Sequence, residues 1–339
     1  MISVAVAPLV AVIIAQAPIA EATPAHEPSP QEQATAAIEE EVGPTPAEIL
    51  QLEQERNERL TVPVRIKGTA DASDTFKGPF RFMVDTGSQA TAITYRVNET
   101  LGLAPFGDAM LVAMASTRAV PVVRIDALTF GDQTTRDLVS PILNSRNVGA
   151  DGILGLDSLQ DLRVLLDFKD ETIAVEDASD RRNHRRGFEI VVRARPELGQ
   201  LLITDARVEG IKTTIIIDTG AQGSIGNLAL KNRLRSKRAE ETITTDVNGA
   251  SIVGRMSVVR SLNIEGMGLR NVPLTFADSP VFEALGLSEK PVIALGMQHL
   301  RLFDRVAIDF SRRQVLFDVP RDVARAMRRL RSRGTRLPL

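Results

Sequence analysis

Cysteine and tryptophan are absent from this sequence, and only three histidines occur. Without cysteine there is no disulfide framework, no thiolate nucleophile and no cysteine-ligated zinc or iron–sulfur centre. His26, His184 and His299 are scattered, with none of the close spacings that metal sites use. A Ser–His–Asp triad needs one histidine and survives that count, but no Gly-x-Ser-x-Gly turn supports it. Aromatic residues make up 4% of the chain, so packing falls to aliphatic and β-branched residues, which favours strands. An excess of one charge is also lacking. A net charge of −2 gives no reason to expect nucleic acid or an acidic polymer as partner. Carboxylates remain as the candidates for demanding chemistry, with no cofactor and no metal expected.

A chain of 339 residues, 43% hydrophobic, is enough for roughly two domains of about 150 residues each. Residues 1–20, MISVAVAPLVAVIIAQAPIA, are apolar and resemble a secretory signal, with Ala15-Gln16-Ala17 as a cleavage candidate. No Lys or Arg precedes the apolar run, so an uncleaved anchor is the alternative. The expected location is therefore exported, periplasmic or secreted, or else membrane-anchored. Residues 21–59 form a Pro/Ala/Glu-rich linker, in which Thr45-Pro46-Ala47-Glu48 predicts a short helix over 46–59. From residue 60, alternation such as Val62, Val64, Ile66 predicts short strands as far as about 318, with helices near 95–101, 227–236 and 280–286. The charge run at 180–186 reads as a linker between one domain at 60–178 and another at 187–319. The tail, 320–339, carries seven arginines and an apolar face of Val323, Ala324, Met327 and Leu330. It reads as a docked terminal helix, or as a basic helix that associates weakly with a membrane, as the N-terminal segment also would.

Two stretches carry the chemistry. Phe82 to Gln89 reads FMVDTGSQ, and Ile215 to Gln222 reads IIIDTGAQ. Each drives an apolar strand into an acid and then into a small-residue turn. The repeat extends further. Ile153-Leu154-Gly155 matches Ala294-Leu295-Gly296, and Asp167-Phe168 and Asp309-Phe310 each open a similar strand. The glycine runs at 149–155 and 220–226 lack the G-x-G-x-x-G spacing of a dinucleotide site. Asp157, Asp167 and Asp309 read as structural. Two acids on two copies of one domain can face each other across a pseudo-two-fold axis. At about 3 Å they share one proton, and one member can act as base toward water while the other donates to a carbonyl oxygen. Structural turns without catalysis remain the alternative, because Asp, Thr and Gly are good turn formers.

At these residues the sequence resembles the retropepsin-like branch of the aspartic proteases, in its bacterial form with two tandem domains in one chain. The resemblance covers roughly 60–318. It implies a mainly β fold, two acid-protease barrels forming a bilobal pseudo-dimer with few short helices. It further implies hydrolysis of a polypeptide substrate by a water that the Asp85–Asp218 pair activates. Carried over by residue, Thr86 and Thr219 would link the two loops and Gly87 and Gly220 would supply the turns. Ser88 is expected to hydrogen-bond its carboxylate and Ala221 is not, which makes the pair asymmetric. Asn248 and Gly249 resemble the tip of a substrate-covering flap; its counterpart around Ala115 and Ser116 has no glycine. The glycine-free flap motivates the alternative reading, a catalytically inactive peptide-binding or scaffold protein.

Overall fold

Strand follows the alternating pattern from Thr61 onward. A computed structural model describes residues 13–15, 61–68, 75–177, 188–197, 200–235, 239–265, 267–320 and 323. The segment expected to be a signal or anchor (apart from 13–15), the expected linker and helix over 21–59, the charge run and nearly all of the tail lie outside these residues.

Each copy builds an eight-stranded sheet. In the first copy Thr61–Gly68, Lys77–Val84, Gly152–Leu154, Ala92–Thr94, Gln133–Leu143 and Thr117–Phe130 follow one another, and the last pairs back to the first. In the second copy Gln200–Val208, Ile211–Ile217, Val292–Leu295, Ile225–Gly226, Met267–Phe276 and Ser251–Ile264 close the same ring. Two sheets that each close on themselves are barrels, which leave few edges unpaired. Ile13–Ala15 pairs with the edge strand Pro105–Val112.

Helices are short. Tyr95–Leu101 and Pro280–Ala284 fall where expected. The expected helix at 227–236 is only Leu228–Lys231, because beyond it the bonds tighten to three-residue steps, Arg233 N–H to Leu230 and Leu234 N–H to Lys231. Ser145–Val148, Leu156–Leu159 and Met297–Leu300 are single turns.

The two copies are joined through a third sheet. Leu162–Asp167 of the first copy pairs antiparallel with Arg305–Asp309 of the second, with Thr172–Asp177 outside one and Gln314–Asp318, then Ile190–Arg193, outside the other. Val164 and Leu166 belong to one continuous apolar cluster with Val306, Ile308, Phe82 and Ile215. The copies therefore share a core, and their mutual placement is fixed by packing.

Behind each acid the strand pairs parallel with the later Gly element. Phe82 lies opposite Gly152, and Ile215 lies opposite Ile293. One copy fills the space with a large and a small residue, the other with two of middle size, so packed volume is kept while the partners change. Gly296 has a φ of −89°, open to any residue, so its requirement is space. A Cβ there would lie 2.8 Å from the Ala221 carbonyl oxygen and closer still to that of Gly223. Gly296→Ala is expected to cost about 3 kcal/mol, read as a lowered midpoint in chemical denaturation; an unchanged midpoint would show that this loop yields freely.

Candidate active site

Each acid ends its strand at the same hydrogen bond. Asp85 N–H donates to the Leu154 carbonyl at 3.0 Å and Asp218 N–H to Leu295 at 3.0 Å. The chain then turns back on the carboxylate. Asp85 Oδ1 accepts from Gly87 N–H at 2.8 Å and Ser88 N–H at 3.1 Å. Asp218 Oδ1 accepts from Gly220 N–H and Ala221 N–H, both at 3.0 Å. The Ser88 hydroxyl does not take part. It donates to the Ala90 carbonyl at 2.8 Å, because the turn aims the backbone N–H at the acid and the side chain along the loop. The asymmetry expected from Ser88 against Ala221 is therefore absent from the carboxylates' hydrogen bonding.

The two loops meet. A Cβ on Gly87 would stand 2.7 Å from Asp218 Cγ, and one on Gly220 would overlap the Asp85 carboxylate. Glycine is needed here because each loop packs against the other copy's acid. Asp85 and Asp218 are 0% and 2% exposed. The threonines bind the loops reciprocally. Thr86 N–H donates to Thr219 Oγ1 at 3.0 Å, and Thr219 N–H to Thr86 Oγ1 at 3.3 Å. Their hydroxyls cross over as well, Thr86 to the Ile217 carbonyl at 2.8 Å and Thr219 to the Val84 carbonyl at 2.7 Å.

Residues without a motif support this arrangement. Gln200, from the second copy, donates from Nε2 to the Gly87 carbonyl at 2.7 Å. Behind the loops, Thr91 Oγ1 accepts from Gly155 N–H at 3.1 Å and Ser224 Oγ from Gly296 N–H at 2.9 Å. Thr91 is held in turn by Asp157, whose carboxyl is pushed up by burial, and Ser224 by His299 Nδ1 at 2.7 Å. Burial lowers the His299 pKa. The hairpin tips at 113–116 and 246–250 meet each other. They bring Ala115 and Ser116 together with Asn248, and Gly249 sits at φ 77°.

Burial raises the Asp218 carboxyl to about 7, against the opposing pull of two backbone N–H bonds and the Asp85 hydrogen bond. The pair therefore keeps a proton up to near neutrality. Between the ordinary value of 3.8 and about 7 the folded chain binds more protons at Asp218 than the unfolded chain does. Its contribution to stability is thus full below pH 3.8 and is lost as pH rises through about 7. Replacing Asp218 by Asn is expected to remove this component, so the difference in melting temperature between parent and variant should shift steadily between pH 4 and 7. A difference independent of pH in that window would contradict the shared proton.

The aspartyl protease family profile matches residues 62–158 and 204–298, one stretch in each copy. Among solved structures, a retropepsin-like aspartic protease from Rickettsia conorii is 22% identical, over 38% of this chain and 88% of that one, with a TM-score of 0.27. An aspartic proteinase from Irpex lacteus is 13% identical, over 77% of this chain and 94% of that one, with a TM-score of 0.41. No curated protein matches the chain. The two profile matches span more than half of the sequence, each centred on a closed barrel with its own Asp-Thr-Gly loop, and the chain belongs to the aspartyl protease family, with two copies of its domain in tandem.

Proposed function

We propose that the chain is an aspartic endopeptidase whose catalytic residues are Asp85 and Asp218, one from each copy. The single observation that carries this reading is the reciprocal packing of the two buried carboxyls, each against the other loop's glycine. A polypeptide lies extended between the acid loops and the two hairpins. The ionised member takes a proton from a water as its oxygen attacks the scissile carbonyl carbon. The protonated member gives its proton to the carbonyl oxygen, which yields a neutral tetrahedral diol. In the collapse the member that took the water's proton gives it to the amide nitrogen, the ionised member takes a proton from a diol hydroxyl, and the C–N bond breaks to leave an amine and a carboxylic acid, with one proton again on the pair. The fixed loops supply the orientation, and the dry setting strengthens the hydrogen bonds to the developing charges.

Asp85→Asn and Asp218→Asn are each expected to lower peptide cleavage by about a thousandfold or more, measured by mass spectrometry on a peptide library. Full activity in either variant defeats the shared site. The pH profile of the parent should fall on the alkaline side near pH 7, where the pair loses its retained proton. Peptide binding by the parent without any cleavage would return the reading to a non-catalytic module.

A further inference from the structure

One buried carboxylate that the proposed chemistry does not use joins the two hairpin tips. Asp246 is 1% exposed and accepts hydrogen bonds with both oxygens. Oδ1 shapes its own hairpin, taking Asn248 N–H at 2.9 Å and Ala250 N–H at 3.0 Å. Oδ2 grips the other hairpin, taking Ala115 N–H at 3.1 Å and the Ser116 hydroxyl at 2.7 Å. Ser116 Oγ also accepts from Asn248 Nδ2 at 2.9 Å, and Arg118 donates to the Asn248 carbonyl at 3.3 Å.

The tips exchange side chains as well. Met114, from the first copy, is buried in a cluster with Ile216, Ala221 and Phe282 of the second. Val247, from the second copy, is buried with Met83, Ala90 and Ile153 of the first. Their carbonyls are held from the opposite copy, Met114 by the Ser279 hydroxyl at 2.8 Å and Val247 by Asn147 Nδ2 at 3.2 Å. The tips thus pack on residues that flank the two buried acids, Ile216 and Ala221 beside Asp218 and Met83 beside Asp85. Parting breaks the Oδ2 bonds and leaves the Oδ1 bonds intact, so each turn survives opening as a unit.

We propose that Asp246 is a positioning residue that latches the two hairpins shut over the acid pair, with Ala115 and Ser116 as its receptor, and that substrate entry waits on its release. The device is one-sided. The position equivalent to Asp246, by the repeat offset of 133 residues, is Ala113. Ala113 has no side-chain acceptor, and its turn closes by its own backbone bond to Ser116 at 2.8 Å. The proposal rests on the enzymatic reading for its purpose, though not for its geometry.

The test uses the full chain and Ser116→Ala, which removes the receptor hydroxyl and leaves both turns' backbone bonds in place. Amide hydrogen exchange at 113–118 and 246–250 is expected to quicken about tenfold. Association of pepstatin, a transition-state mimic, should quicken similarly, because opening limits entry. Ser116→Thr keeps the hydroxyl and should keep the parent's rates, which a merely structural defect would not. Because the chain has no cysteine, Ser116→Cys combined with Asn248→Cys gives a single disulfide across the tips. The oxidised protein should neither bind pepstatin nor cleave peptide, and dithiothreitol should restore both. Unchanged exchange in Ser116→Ala, or pepstatin binding by the oxidised protein at the parent's rate, overturns the latch. A parent that neither binds pepstatin nor cleaves peptides defeats the enzymatic reading alone, and the exchange arm then decides the latch.

Discussion

Two carboxyls are buried against each other, and everything around them answers the cost of that arrangement. Removing one ionised carboxylate from water costs several kcal/mol even after the protein relaxes. Asp85 and Asp218 offset this in two ways. Each Oδ1 takes two backbone N–H bonds, worth roughly 1.5–3 kcal/mol apiece to a charged acceptor, and the pair holds a proton so that only one charge need be buried. The first device is local to each loop. The second exists only if the loops meet, which requires glycine at 87 and 220 and nothing bulkier.

A junction of that kind would be pushed apart once the pair lost its proton, were it held by the acids alone. The Thr86–Thr219 bonds hold it from within, and they are neutral. From below, the strand pairing of Leu162–Asp167 with Arg305–Asp309 and the cluster that runs through both copies fix where each barrel sits. The lower half of the molecule thus holds its geometry by packing, which is stiff. The upper half is held differently. The hairpin tips meet through a handful of polar bonds and two inserted side chains. A site that must be rigid under the substrate and open above it needs this division.

The parts legible in the sequence are those whose chemistry is local. An apolar strand ending in Asp-Thr-Gly announces a turn and an acid, and a second copy announces a partner. Alternation exposed the strands, and Asn248-Gly249 marked a hairpin tip. Residues whose role depends on a distant segment carried no such mark. Gln200 opens an ordinary strand, yet it reaches the loop at Gly87, 113 residues away in sequence. Thr91 and Ser224 look like loop filler until Gly155 and Gly296 are placed above them. Ser88 misled because its neighbour in sequence is the acid, whereas its hydroxyl direction is set by the turn's dihedrals. The single-turn helices are too short for a 3.6-residue period to register.

Duplication within one chain explains why so many paired positions differ. In a true dimer every residue appears twice, so a carboxylate at one hairpin tip would be repeated at the other, and two buried carboxylates would crowd one junction. Once the copies are fused, each half drifts under a separate constraint. Asp246 stands opposite a hydroxyl and a backbone N–H of the first copy, whose own equivalent position, 113, is alanine. Phe82 over Gly152 in one copy and Ile215 against Ile293 in the other solve one packing problem twice. Ser158 and His299 stand at matching places behind the acid loops and meet Thr91 and Ser224 with different chemistry. The two acids escape this drift, because each packs against the other copy's glycine and the fit holds only for a matched pair.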